Sequence, residues 1–311
     1  MTALLVLGGV CLAVAFPALV ASNPYFLYIG AAACLWAALA TAWAILAHAG
    51  QVSFGQAAFF GVGAYTSALL AQGAGLSPWL GVVIAGLVGA AVAAPVGLGA
   101  HRLRGAYLAL GTLGYAEALR LVALNWTALT GGGSGLVGIP ELPVPGLEAG
   151  LALSRGRAGS YYVALALLLG VLALAAGLRR GRVGLAWAAI REREERAAQL
   201  GLATTRYKVL AFVCSGAATA VGGAVYAHTV RFIEPDLVFG RSLSLLPLVM
   251  ATFGGALLLL GPACGALVLY LGSELIFQPL LPRFHQLPYA LALVATVLVL
   301  PQGLAGLVRR P

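Results

Sequence analysis

Residues 25–47 run without an aspartate, glutamate, lysine or arginine, and apolar stretches of this length recur along a chain of 311 residues. A helix needs about 20 apolar residues to cross a hydrocarbon core. A soluble fold would have to hide such runs behind polar surface, and this chain offers only 18 Lys and Arg and 9 Asp and Glu against 61% hydrophobic residues. It is read as an all-α polytopic membrane protein, one transmembrane domain over 1–311. Segmenting by length predicts about ten spans, at 2–20, 25–47, 54–71, 79–100, 105–124, 161–178, 207–230, 242–260, 262–280 and 287–304. The first lacks the basic leader of a signal peptide and is read as a span.

The basic residues stand at the ends of apolar segments, where they set orientation; the net charge of +9 therefore gives no reason to expect nucleic acid. With both termini cytoplasmic, inner loops hold twelve of the 18 Lys and Arg, outer loops five, and Arg120 lies inside a span. The opposite orientation inverts that bias, so N-in and C-in is expected. Five spans precede the break at 126–160, and the odd number turns the second five the other way round. Halves of about 1–125 and 160–311 thus form an inverted pair. Phe54-Gly55 opens the third span from inside and Phe239-Gly240 the eighth from outside, the pattern of broken helices around a central path. Packing of helices by small residues explains the same pattern without a path.

Polar groups available to a path through these two spans are Ser53, Gln56, Thr66 and Ser67 on one side and Ser242 and Ser244 on the other, with Gly63 allowing close backbone approach. Glu117 and Arg120 stand three apart on one face of the fifth span, where unpaired charge is expensive. A mutual clasp is favoured over substrate contact. Glu274, in the ninth span, has no partner nearby in sequence. The four histidines and the cysteines Cys11, Cys34, Cys214 and Cys264 show no metal-type spacing.

Eleven of the 27 charges crowd between Arg179 and Lys208, in a 179–206 loop. Arg191 with Glu195 and Glu192 with Arg196 are four apart and predict pairing along one helix face. Ala186, Ala189, Ile190, Ala197 and Leu200 predict an apolar face opposite, and Gly201 a stop. A short amphipathic helix outside the bilayer follows. No Walker A loop exists to feed it, since that motif needs a lysine within G-x-x-x-x-G-K-[ST] and the sole lysine is Lys208, after Tyr207.

Glu195, Ala197, Ala198 and Gly201 form E-x-A-A-x-x-G, which resembles the coupling-loop motif of ABC importer permeases. QVSFGQAAFFGVGAYTSALL at 51–70, NWTALTGGGSGLVGIP at 125–140 and FGGALLLLGPACGA at 253–266 are similar, in the same order, to segments of branched-chain amino-acid permeases, specifically the LivM branch. The resemblance implies a pore subunit of a bacterial inner-membrane importer. It implies a second related permease as heterodimer partner, two cytoplasmic ABC ATPases that bind ATP and Mg, and an extracytoplasmic solute-binding protein. No cofactor and no catalysis belong to this chain under that reading; membrane lipid is its solvent. Ala106, Leu243-Ser244 and Ala256-Leu257 depart from residues common at the matching positions, and other permeases of the wider family carry urea or sugars. An ion-gradient carrier using Glu117 or Glu274 is the alternative from another class.

Overall fold

The computed structural model describes residues 23–100, 102–103, 105–143 and 157–280, with short pieces at 13–18, 20, 289–291 and 303. Most of the expected first and tenth spans, with Cys11, His101, Arg104, His285, Arg309 and Arg310, lies outside the described residues.

Each of the eight intervening spans corresponds to a helix: α1 (Pro24–His48), α2 (Gln56–Gly73), α3 (Pro78–Gly99), α4 (Ala106–Asn125), then, after the short α5 (Thr127–Thr130), α6 (Arg157–Arg180). The charged loop forms α7 (Arg182–Gln199), followed by α8 (Thr204–Val230), the short α9 (Pro235–Val238), α10 (Arg241–Gly254) and α11 (Gly261–Gly272), which continues through a π turn at Ser273–Phe277 into α12 (Gln278–Leu280). Prolines start several of these where a missing N–H costs nothing; Asn23 also caps α1, its side chain accepting from the Tyr25 N–H.

Among the described residues seven helices are long and apolar enough to cross a membrane, and α2 is not one of them. Its Gln56, Thr66, Ser67 and Gln72 lower its hydropathy, yet most of α2 is buried. Protein rather than lipid surrounds it, and buried polar side chains are tolerated there because neighbours supply their hydrogen bonds.

The core centres on α8, against which α1, α2 and α3 pack. Small residues set the spacing: a Cβ on Gly97 would stand 2.8 Å from Val209 Cα, and one on Gly89 2.9 Å from the Gly216 carbonyl oxygen. Partners along these seams fix relative direction. Gly97 and Ala100 of the α3 end meet Val209 and Lys208 at the α8 start, whereas Gly86 meets Val221 further along, so the two run antiparallel. Gln56 meets Ser215 and Ser67 meets His228, so α2 and α8 run parallel. At the far end β1 (Leu136–Val137) pairs antiparallel with β2 (Phe232–Ile233), Leu136 opposite Ile233.

Candidate coupling face and membrane path

The α7 segment is held from beneath. Trp187 is buried and its indole N–H donates to the Tyr207 carbonyl at 2.8 Å; Ala186, Ile190 and Ala197 are buried beside it. At Arg193 the backbone leaves helical geometry (φ −153°, ψ 97°), which breaks α7 in two. That break falls inside both expected pairs, Arg191 with Glu195 and Glu192 with Arg196, so the four-residue register does not carry across. Lys208 Nζ pairs with Glu194 Oε1 at 2.6 Å across to α8. Leu200, expected on the apolar face, is 83% exposed, because the helix ends at Gln199 and Leu200 no longer follows its periodicity. Glu192, Glu195, Ala198, Leu200 and Gly201 are exposed together. Gly201 closes the helix at φ 83°, its N–H donating to the Ala198 carbonyl at 2.9 Å while Leu202 N–H reaches the Ala197 carbonyl at 3.1 Å. The result is a small ledge of two charges, a methyl and an isobutyl group. Exposed leucine beside exposed alanine was missed by reading the helical period alone; its position one residue before the stop glycine was the available signal.

The polar groups assigned to a path separate on inspection. Gln56 is buried, its Nε2 donating to Ser215 Oγ at 3.0 Å and its Oε1 accepting from Thr219 at 2.6 Å. A Cβ on Gly63 would overlap the Ala220 backbone. Ser67 bonds His228 Nε2 at 2.7 Å, and His228 Nδ1 stands 2.7 Å from the Pro140 carbonyl; that oxygen only accepts, so Nδ1 carries the proton and Ser67 donates. These three residues therefore face α8 rather than α10. Ser53 is buried, its Oγ accepting from Gly55 N–H and its carbonyl from the Trp43 indole. Thr66 is half-buried.

Ser244 hydrogen-bonds the third span to the eighth: its Oγ accepts from Ala57 N–H at 3.2 Å. Phe239 packs on Gly61 and stacks on Tyr65, ring centroids 6.1 Å apart. Gly55 and Gly240 are the N-cap residues of α2 and α10, so both spans begin as helices at their Phe-Gly pair. Ser242 is exposed and borders a cavity of about 240 Å³ that Tyr28, Trp36, Tyr226, Thr229 and Tyr270 also line.

Arg120 binds Glu117 at 2.6 Å and also Asp236 of α9, so the clasp has a third member from another element. Asp236 sits in a four-residue helix just before the eighth span, too far along the chain for spacing to reveal it. Glu274 lies half-buried in the π turn near Tyr270. Among the described residues no cluster of three or more His, Cys, Asp or Glu could hold a metal ion.

Comparison with known proteins bears on what this arrangement serves. The family model described as "Branched-chain amino acid transport system / permease component" matches residues 25–300. The chain belongs to this family of transport permeases. It is also 32% identical over 289 residues to the high-affinity branched-chain amino acid transport system permease protein LivM of Salmonella typhimurium strain LT2, and equally to LivM of Escherichia coli strain K12. Each alignment covers 85% of the permease described above and 66% of the relative, so this chain spans about two thirds of their length. No solved structure matches. Family and apolar helices together make the permease a multi-pass membrane protein.

Proposed function

We propose that this chain is a pore subunit of an ABC importer that carries branched-chain amino acids across a bacterial inner membrane. The observation that carries the reading is the ledge after the Arg193 break, where Glu195, Ala198 and Gly201 of the coupling motif are exposed in a chain whose family is a transport permease. Small side chains there admit a partner helix or groove closely, and the charges favour a polar partner. Two cytoplasmic ATPases supply ATP and Mg chemistry, a second related permease completes the pore, and a solute-binding protein delivers cargo outside. About ten spans in two inverted halves, both termini inside, place the ledge in the cytoplasm.

The path is proposed at the α2–α10 contact around Ser244 and Ala57, with Ser242 two residues before Ser244 on α10. A zwitterion cannot enter lipid with its charges unsolvated, so hydroxyls or water must meet it there. Tight binding is left to the external protein, and alternating access follows from ATPase closure as a shift between two populations.

Uptake of labelled leucine into proteoliposomes holding the permease pair and both ATPases tests the reading. Uptake is expected to require internal or external ATP on the ATPase side and to survive a protonophore. Uptake that persists without ATPases on an ion gradient, or that accepts urea and not leucine, overturns it.

A further inference from the structure

Lys208 is the sole lysine of the chain, and its side chain is 1% exposed. Besides Glu194 at 2.6 Å, its Nζ donates to the Ala100 carbonyl at 3.3 Å. Ala100 ends α3, so the ammonium sits at the negative pole of that helix while belonging to the second turn of α8. An apolar residue would fill this place at least as stably, because an ion pair withdrawn from water seldom outdoes its packed hydrophobic equivalent. A buried ammonium here needs a reason beyond packing.

The break at Arg193 supplies one. Residues before it are anchored by Trp187 to the Tyr207 carbonyl and lie against Gly50, whose Cβ would stand 3.0 Å from Arg191 Cα. Residues after it turn Glu195, Ala198 and Gly201 outward and Glu194 inward to Lys208. We propose that Lys208 is the positioning residue that carries displacement of the coupling ledge into α3 and α8 together. Beyond Lys208 the seams have no slack: Gly63 touches the Ala220 backbone, Gly223 the Phe60 backbone, and Gly89 approaches Gly216. A push on Glu194 therefore reaches α2 through α8, and α2 contacts α10 at Ala57 and Ser244.

This inference rests on the coupling reading of the ledge. The test uses the complete complex with its ATPases, second permease and binding protein, and measures leucine taken up per ATP hydrolysed. The paired variant Lys208→Met with Glu194→Met keeps the volume and removes both charges of this pair. It is expected to assemble and to hydrolyse ATP within about twofold of the unaltered complex, while uptake per ATP falls about tenfold. Lys208→Arg, which keeps charge and donors, is expected to retain most of that ratio. An unchanged ratio in the paired variant overturns the proposal, and so does its failure to assemble, which would assign the pair to folding alone. Absence of ATP-driven leucine uptake by the unaltered complex would instead sink the underlying reading.

Discussion

At the scale of single residues the Glu117–Arg120–Asp236 cluster shows why an intramembrane charge is best read with its neighbours. A charge at a helix centre costs about 2.5–3.5 kcal/mol on insertion scales, and Arg120, nearer the end of α4, offsets part of such a cost by pairing with Glu117 and Asp236. Arg120→Met should therefore lower the amount of folded, detergent-extractable protein. Adding Glu117→Gln should recover most of it, because the double variant strands only Asp236, which is 65% exposed. Size-exclusion yield and thermal unfolding of the two variants give the comparison; equal losses in both would show that the clasp is not what holds these elements. The i,i+3 half of this cluster was legible from spacing, and the Asp236 half was not, since 116 residues separate the partners.

Among elements, the instructive case is α2. Its sequence announces small and weakly polar residues, and that much is legible, but such residues suit a path and a tight helix seam equally well. Only the contacts decide, and Gln56, Gly63 and Ser67 turn to α8. It follows that tryptophan at Gly63 reports on packing rather than on cargo. Even Gly63→Ala should cost roughly 1–3 kcal/mol by overpacking against Ala220, whereas Gly73→Ala, with nothing within 4 Å of its Cβ, should cost nothing measurable. Unfolding of both in the same detergent checks this; an indifferent Gly63→Ala would mean that the seam has slack. The coupling segment repeats the lesson. Composition and the glycine stop were readable from the chain, while the Arg193 break and the Glu194–Lys208 contact beyond it reflect packing between α7 and α8 that local periodicity does not encode. Ala198→Asp places a charge on the exposed ledge without touching buried atoms. Normal membrane levels with ATP-driven uptake reduced at least about tenfold are expected, and undiminished uptake would remove the ledge from the docking surface.

For the whole molecule the open quantity is orientation, and it reduces to counting crossings. Contacts gather Gly50, Ala100, Lys208 and α7 at one end of the bundle. They gather the β1–β2 pair, Glu141 and Arg231 at the other. Between Val137 and Arg193 the described chain has one long apolar helix, α6, and a single crossing there predicts that those two residues lie on opposite sides. On the proposed ten-span topology, the bias of twelve basic residues over five predicts that Arg193 is cytoplasmic. Arg231 itself makes a poor probe: it holds a left-handed backbone at φ 63° and pairs with Glu141. Val137 is 72% exposed on β1 and serves better. In a background with Cys11, Cys34, Cys214 and Cys264 replaced by alanine, a membrane-impermeant maleimide should label Val137→Cys in intact cells. Arg193→Cys should react only after the inner membrane is opened. The reverse pattern would invert the molecule and detach the ledge from any cytoplasmic ATPase. Labelling of both from one side would deny that α6 crosses at all, and with it the ten-span arithmetic on which the inverted halves depend.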